Sequence, residues 1–283
     1  MCAPESCLVL PKLHNGCKRF ASPKGGTVKI ITCIKQVPDS EAKVTAQDGQ
    51  VSWGESPLVI NPFDEYAVEA ALQQKEHGDA TVTALCIGPE SAREALKHAL
   101  AMGADEAILV CDPALDNLDS QGAARVLAAA IQKIGDAALV IFGRQTLDNG
   151  SGVTAAQTAR VLGWPLLSFA GKIELDGSRV RVERVLEEGK QTVSAPLPVV
   201  MSVVQSIGEP RYPSFMGIRK ASRANIPVWS LADLGIAPPA TVVHRQALMN
   251  PPVREAKCEI ISGDSPETIA ETLVEKILAE KVL

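Results

Sequence analysis

Two hydrophobic patterns alternate along the chain from Val28 onward. One consists of short, nearly continuous apolar runs, which lie at 28–34, 81–87, 107–111 and 138–142. The other consists of apolar residues that recur at helical spacing, over 63–74, 91–101 and 121–133. The runs predict buried strands, and the recurring residues predict amphipathic helices. Strands and helices in this alternation are typical of a parallel sheet that is covered by helices on both faces.

The pattern changes after Trp164. Alternating apolar and polar residues predict further strands at 172–175, 179–185, 190–194 and 198–204, with a turn at Asp176-Gly177. We expect these strands to be antiparallel and to extend or flank the parallel sheet. The predicted fold class is therefore α/β, a three-layer Rossmann-like sheet of the adenine-nucleotide-binding type with an antiparallel extension.

The two ends of the chain differ from the region between them. Residues 1–27 show no periodicity, which fits a disordered tail, an import segment or a stretch upstream of the true start. Residues 28–235 hold the predicted α/β domain. Residues 236–283 form a predicted C-terminal arm, in which an amphipathic helix near Asp264 follows a proline-rich stretch. That helix either packs on its own domain or binds a partner, and the pattern favours neither.

The composition limits the function classes. The net charge is −5, so we expect no general affinity for nucleic acid or anionic membranes. No apolar run is long enough for direct membrane insertion. The seven cysteines show no zinc-type spacing, and Cys2, Cys7 and Cys17 with His14 are too irregular to predict a metal site. Such cysteines indicate a reducing compartment: the cytoplasm, or the mitochondrial matrix in a eukaryote.

Candidate binding residues follow the predicted strands, where the loops and helix starts of a parallel sheet meet. Asn61-Pro62-Phe63-Asp64 precedes the first helix, and Gly88-Pro89 follows the second strand. In the segment 143–154, glycines allow backbone amides close to a ligand, and Ser151 and Thr154 can donate to a phosphate. Glycine-rich loops also occur without ligands, and an N-cap role alone would explain Asn61. Nucleotide binding is therefore one of two open interpretations.

Residues 209–223 combine apolar and basic side chains. Phe215 and Met216 are the large apolar residues, and the basic ones are Arg211, Arg219, Lys220 and Arg223. Two prolines and Gly217 disfavour a helix or a central strand here, so we predict a surface loop. An apolar tip ringed by positive charge suits docking onto an acidic partner. The alternative is that Phe215 turns back into the core and the charges are solvated.

Several motifs together resemble one known family. They are Val59-Ile60-Asn61-Pro62-Phe63-Asp64-Glu65, Ala99-Leu100-Ala101-Met102-Gly103-Ala104-Asp105, Gly143-Arg144-Gln145 through Thr154, Gly163-Trp164-Pro165, and Glu209-Pro210-Arg211-Tyr212 with Asp233-Leu234-Gly235. In this order they look like the beta subunit of electron transfer flavoprotein. The likeness runs from about Val28 to the C-terminus.

The resemblance implies a heterodimer with an alpha subunit that binds most of the redox FAD, and a C-terminal arm that contacts that subunit. The beta subunit would supply a rigid support, a second nucleotide site and a docking loop. The heterodimer would collect electrons from acyl-CoA or related flavin dehydrogenases, as in fatty acid oxidation, and pass them to a membrane quinone oxidoreductase. Electron transfer of this kind needs no acid–base or nucleophilic residue, and none of the four histidines has a nucleophile beside it.

The resemblance also transfers site residues by motif position. The implied nucleotide contacts are Cys33, Asn61, Pro62, Phe63, Asp64, Ile87, Gly143, Arg144, Gln145, Thr146, Leu147, Asp148, Asn149, Gly150, Ser151, Gly152, Val153 and Thr154. The implied docking residues are Arg211, Tyr212, Phe215, Met216, Lys220 and Arg223, with Phe215 as the apolar anchor.

The implied nucleotide is AMP in a structural role, or a second FAD that accepts hydride from NADH in electron-bifurcating members. Residues 148–154 match neither the acidic triplet common in AMP-binding members nor the Asp-Thr-x-Gln of bifurcating ones, so both stay open. Pro38-Asp39-Ser40 stands where some members place an aromatic residue near the redox flavin. We therefore expect no stacking of this chain on the flavin ring.

Overall fold

The computed structural model describes residues 27–47, 49–116, 118–243, 246–252 and 258–280. The prediction for residues 1–27 lies outside this range, apart from Thr27. The chain divides into two compact units. The larger contains the described residues up to Val44 together with Ser52–Gln246, and the smaller contains Thr45–Val51 and Ala247–Leu283.

Strands and helices alternate in the first half of the chain and strands dominate the middle. The strands are β1 (Val28–Ile34), β2 (Gln36–Pro38), β3 (Thr45–Gln47), β4 (Gln50–Ser52), β5 (Leu58–Ile60), β6 (Ala80–Ile87), β7 (Glu106–Val110), β8 (Ala137–Gly143), β9 (Leu166–Asp176), β10 (Arg179–Leu186), β11 (Gly189–Pro196), β12 (Val199–Val203) and β13 (Val228–Trp229). The helices are α1 (Pro62–His77), α2 (Arg93–Met102), α3 (Ser120–Ile134), α4 (Thr154–Leu162), α5 (Phe215–Ala221), α6 (Leu231–Leu234) and α7 (Pro266–Ala279).

The larger unit is built on a nine-stranded sheet in the order β11-β10-β9-β12-β8-β1-β6-β7-β13. The strands from β9 to β13 in this order pair in parallel, whereas β10 is antiparallel to both β9 and β11. The predicted α/β class, with a parallel sheet and an antiparallel extension, is confirmed.

One strand direction was predicted wrongly. The segment predicted as an antiparallel strand at 198–204 is β12, which pairs in parallel with β8 and with β9. All five residues of β12 are buried, as in a strand that is covered on both faces. Burial of this kind suits a central parallel strand and not the half-exposed edge that an alternating pattern describes.

Helices cover both faces of the parallel sheet. Successive residues of a strand point to opposite faces, and Ile30 and Ile31 of β1 belong to separate hydrophobic clusters although both are fully buried. The cluster around Ile30 packs beneath α1 and α2, and the one around Ile31 packs beneath α3 and α4. The two clusters explain why the strands have nearly continuous apolar sequences.

The smaller unit contains the β3–β4 pair and α7. The side chain of Asn250 is bonded to both backbone groups of Ala46, with its oxygen accepting from the amide at 2.7 Å and its nitrogen donating to the carbonyl at 3.0 Å. Helix α7 begins at Pro266 after the N-cap Ser265, and Leu273, Val274 and Leu278 are exposed on it. Among the described helices of both units, none has the length and apolar character needed to cross a membrane.

Candidate functional site

A cavity of about 580 Å³ lies at the carboxyl ends of the parallel strands. This is the edge at which open parallel sheets bind ligands. Of the residues that the sequence predicted as nucleotide contacts, those lining it are Cys33, Asp64, Ile87, Gly143, Arg144, Gln145, Thr146, Asn149, Ser151, Gly152 and Thr154. The predicted contacts that do not line it are Asn61, Pro62, Phe63, Leu147, Asp148, Gly150 and Val153.

Asn61 holds the 143–154 loop in place. Its side chain is fully buried, its amide nitrogen donates to the carbonyl of Gln145 at 2.9 Å, and its oxygen accepts from the amide of Leu147 at 3.1 Å. It makes no side-chain cap on α1, although it occupies the N-cap position. The capping explanation of Asn61 is therefore wrong, since the side chain is committed to the loop.

Asp64 lies beneath the same loop and is only 5% exposed. Its Oδ2 accepts from the backbone amide of Lys35 at 2.8 Å. Burial raises the pKa of Asp64 to about 7, although hydrogen bonds from Asn61, Lys35 and Gly143 oppose the rise. A Cβ on Gly143 would stand 2.5 Å from Asp64 Oδ1 and from the carbonyl oxygen of Phe63. Only glycine at 143 lets the loop approach α1 this closely.

The loop ends at a helix start that is open to an anion. Helix α4 begins at Thr154 after Val153, and no side chain among the described residues caps its first backbone amides. Uncapped amides and the helix dipole favour negative charge at this position. Lys35 and Arg144 line the cavity with the hydroxyl residues Ser151 and Thr154. This side of the cavity therefore suits a phosphate.

The opposite wall is acidic. It carries Glu90, Asp112, Asp116 and Asp119, which line the same cavity. Asp112 accepts from the amides of Ala114 and Leu231, and Asp119 accepts from the amides of Gly122, Val242 and Val243. Asp112 and Asp119 thus hold the loop that precedes α3. The four carboxylates give the cavity a negative side that favours ligand groups able to donate hydrogen bonds.

The cysteines near the cavity are not reactive thiolates. Burial raises the pKa of the Cys33 thiol well above its ordinary value and that of Cys86 to about 12. Burial also raises the pKa of Cys111, which lines the acidic wall. Neutral thiols contribute apolar surface and do not act as nucleophiles.

The predicted docking segment contains a short helix. Ser214 caps α5 by accepting from the amide of Gly217 at 2.9 Å, and the helix runs from Phe215 to Ala221. The expectation of a loop without helix is wrong, because Pro210 and Pro213 both precede the cap. Gly217 is required by packing, since a Cβ there would stand 2.3 Å from the carbonyl oxygen of Ala101 on α2.

The outer face of α5 is apolar and exposed. Phe215 is 80% exposed, Met216 69% and Ile218 54%, and Tyr212 just before the helix is 90% exposed. The alternative in which Phe215 turns into the core is therefore wrong. Arg219, Lys220 and Arg223 are also exposed and form no ion pair with any residue the structure describes. The segment presents an apolar helical face beside free positive charge.

The sequence is similar to those of known proteins of one family. A family model described as "Electron transfer flavoprotein domain" matches residues 54–234. The electron transfer flavoprotein subunit beta of Megasphaera elsdenii is 32% identical over 272 residues, covering 90% of this chain and 100% of the relative. That of Mycobacterium bovis is 39% identical over 214 residues, covering 73% and 80%. The chain belongs to the electron transfer flavoprotein beta-subunit family.

A third relative of this chain is named for a larger assembly. The caffeyl-CoA reductase-Etf complex subunit CarD of Acetobacterium woodii is 33% identical over 265 residues, which cover 90% of this chain and 100% of the relative. The family resemblance drawn from the motifs is confirmed, and electron transport by a flavoprotein is the function of the family to which the chain belongs.

In this chain Arg211 is turned toward its own domain. Its guanidinium donates to both carboxylate oxygens of Glu69, at 2.8 and 3.0 Å, and to Glu76 at 2.6 Å. Its backbone amide donates to Glu69 as well. Burial alone would raise the pKa of Glu69, but the bonds and charge of Arg211 bring it below its ordinary value. Arg211 therefore fixes the docking segment to α1.

Three features of the chain could not be predicted from the sequence motifs. The acidic wall at Asp112–Asp119 follows the strand predicted at 107–111, so the strand-end rule that flagged the other loops applies to it too. Ile218 lies one helical turn after Phe215, a relation that appears only once α5 is known to be a helix. Lys35 directly follows β1 and gave no motif of its own.

Proposed function

We propose that this chain is the beta subunit of a heterodimeric electron transfer flavoprotein, in which an alpha subunit carries the redox FAD and this chain binds AMP in a structural role. The observation that carries the proposal is the cavity at the strand ends, with an uncapped helix start and two basic residues on one side. No reactive thiolate lines it, and electron transfer requires no acid–base group from this chain.

The charges of the cavity favour a ligand with a single phosphate. Lys35 and Arg144 lie on the side of the α4 helix start, whereas four carboxylate residues form the opposite wall. A phosphate placed against those carboxylates would be repelled. The hydroxyls of a ribose and the amino group of an adenine can instead donate to them. AMP meets both requirements, and its phosphate would lie beside Ser151 and Thr154.

A second FAD in this cavity, with oxidation of NADH, is the alternative function. It is favoured by the likeness to CarD, a subunit of a caffeyl-CoA reductase-Etf complex, and by a cavity volume of about 580 Å³, which lies mid-range for small-molecule sites. In this alternative the heterodimer is a bifurcating enzyme, and a flavin held in the cavity would accept hydride from NADH.

The exposed face of α5 is proposed to dock flavin dehydrogenases such as those acting on acyl-CoA. Phe215, Met216 and Ile218 offer an apolar anchor, and Lys220 and Arg223 offer charge that steers an acidic partner. Electrons would leave the heterodimer through a quinone oxidoreductase toward the membrane quinone pool. The apolar residues exposed on α7, Leu273, Val274 and Leu278, are proposed to contact the alpha subunit.

We assign the heterodimer to the cytoplasm, or to the mitochondrial matrix in a eukaryote. Among the described residues, Cys33, Cys86, Cys111 and Cys258 are all unpaired, and free thiols of this kind suit a reducing compartment.

Nucleotide content tests the proposed function. The chain is co-expressed with its alpha subunit, the heterodimer is purified and denatured, and the released nucleotides are identified and counted by mass spectrometry. We expect one FAD and one AMP per heterodimer. Two FAD per heterodimer, with NADH oxidation, would establish the alternative, and one FAD with no second nucleotide would refute both.

A heterodimer carrying Phe215→Ala serves as the control. Phe215 is 80% exposed on α5 and does not line the cavity, so its nucleotide content should equal that of the wild type. A different nucleotide content in Phe215→Ala would show that the number of nucleotides depends on how much of the purified protein is folded and not on occupancy of the cavity.

A further inference from the structure

Lys35 is held at the rim of the cavity by its backbone. Its amide donates to the buried Asp64 at 2.8 Å, and its carbonyl oxygen accepts from the amide of Asn61 at 2.8 Å. Both partners belong to the start of α1, which is packed against the sheet. The backbone of Lys35 is thus fixed, and only its long side chain can move between binding partners.

The partner of that side chain is Asp148. Lys35 Nζ lies 2.5 Å from Asp148 Oδ2, and the two side chains are 42% and 32% exposed. Lys35 lines the cavity, whereas Asp148 does not. Asp148 lies in the turn closed by the bond from the amide of Gly150 to the carbonyl of Thr146, at 2.8 Å. The ion pair therefore joins the rim at β1 to the tip of the loop.

The other cation of the cavity is engaged differently. The guanidinium of Arg144 lies over the ring of Phe169, with its central carbon 5.7 Å from the ring centre. Stacking of this kind holds a guanidinium in place. Lys35 is the cation whose partner is a half-exposed carboxylate, and such pairs contribute little to stability. Exchange of that carboxylate for a more highly charged group is therefore favourable.

We infer that Lys35 is a phosphate-binding residue, which Asp148 holds while the cavity is empty and releases when the nucleotide's phosphate arrives. The inference rests on the proposed function, because it requires a nucleotide with its phosphate at the loop. A phosphate carries more negative charge than a carboxylate and offers three acceptor oxygens, so it competes well for the ammonium. Asp148 then acts as a competitor of the ligand and not as part of its site.

Two substitutions separate competition from simple bracing, because they should act in opposite directions. In Lys35→Met the phosphate loses a charge-assisted hydrogen bond, and we expect AMP to bind about 10-fold more weakly or worse. In Asp148→Asn the ammonium no longer has a competing carboxylate, and we expect AMP to bind roughly two- to fivefold more tightly. A pair that merely braced the loop would weaken binding in both variants.

The measurement is calorimetric titration of the nucleotide-stripped heterodimer with AMP, and with adenosine in parallel. Adenosine lacks the phosphate, so its affinity should be the same in the wild type and in both variants. Lys97→Met is the control, because Lys97 is exposed to a similar degree as Lys35 and also forms an ion pair, with Glu94, but does not line the cavity. Its affinity for AMP should equal that of the wild type.

The outcomes distinguish this inference from the proposed function. Wild-type affinity in Lys35→Met, or weaker AMP binding in Asp148→Asn, overturns the role of Lys35 while the nucleotide site stands. A wild-type heterodimer that binds no nucleotide overturns the site and the inference together. If FAD occupies the cavity, the wild type, Lys35→Met and Asp148→Asn are titrated with FAD. We then expect weaker FAD binding in Lys35→Met and tighter FAD binding in Asp148→Asn.

Discussion

Asp64 should make the stability of this chain fall as the pH rises. Its carboxyl is 5% exposed, and burial raises its pKa from 3.8 to about 7. Between these two values the folded chain keeps a proton that the unfolded chain has released. Because the folded state then binds more protons, the free energy of unfolding decreases with increasing pH. The penalty is absent below about pH 4 and complete above about pH 7.

The size of the effect follows from the same two values. At about 1.36 kcal/mol per pH unit, a rise from 3.8 to about 7 corresponds to roughly 4 kcal/mol. Between pH 5 and pH 8 the expected loss is roughly 2 to 3 kcal/mol, since part of the penalty is already present at pH 5. The hydrogen bonds from Asn61, Lys35 and Gly143 favour the ionised form, so the net rise in the pKa of Asp64 is smaller than burial alone would give.

The assay compares the wild type with Asp64→Asn by denaturant unfolding of the heterodimer at pH 5 and pH 8. Protein and nucleotide concentrations are held constant, because ligand and subunit binding also shift apparent stability. Asparagine does not titrate, so the difference in unfolding free energy between the two proteins should change by roughly 2 to 3 kcal/mol. Other groups titrate equally in both proteins and cancel.

Asp119→Asn provides the control for this comparison. The amide of Gly122 and those of Val243 and Val242 lower the pKa of Asp119 below its ordinary value. Its contribution is present above the unfolded pKa and is lost only as the pH falls through the folded one, so it is constant between pH 5 and pH 8. An equal change in the free energy of unfolding between pH 5 and pH 8 in the wild type and in Asp64→Asn would refute the argument, because the hydrogen bonds to Asp64 would then outweigh its burial.

Two further predictions concern the docking segment. Phe215→Ala should weaken binding of the heterodimer to its donor dehydrogenase by roughly tenfold or more, since burying a phenylalanine side chain contributes about 1.5–3 kcal/mol. Surface plasmon resonance measures this affinity, with Val44→Ala as the exposed apolar control, and unchanged affinity would exclude Phe215 as the anchor. Arg211→Met should destabilise the chain by roughly 2–3 kcal/mol, because it leaves the buried Glu69 without its cationic partner. In denaturant unfolding, the double variant Arg211→Met with Glu69→Met should recover most of that loss. An equal loss in the single and the double variant would show that the unpaired Glu69 carboxylate is not its cause.

The sequence predicted the parallel sheet well because burial on both faces leaves a local signature. Ile30 and Ile31 are adjacent yet belong to opposite faces, and both are fully buried. Such strands need apolar residues at nearly every position, which distinguishes them from half-exposed strands and amphipathic helices. The direction of β12 had no local signature, because its neighbours β8 and β9 are set by tertiary pairing.

Helix α5 was missed for a related reason. Pro213 and Gly217 lower the local helix propensity, but Pro213 lies before the cap Ser214, and Gly217 is selected by its contact with Ala101. Propensity measures the isolated segment, whereas that contact arises only after α2 has folded. Asn61 shows the same limit at the cavity, since its N-cap position was evident from the sequence but its bonds to Gln145 and Leu147 were not.

Helix α1 connects the two surfaces on which the proposed function depends. Its start holds the cavity loop through Asn61 and the end of β1 through Asp64. Its later turns hold the docking segment through Glu69 and Glu76. A ligand that binds only the folded chain stabilises it by mass action. A nucleotide bound against the 143–154 loop would therefore stabilise the frame on which Phe215 is presented. Under the proposal, AMP takes no part in the electron transfer reaction. It contributes by stabilising the part of the chain that presents the docking surface.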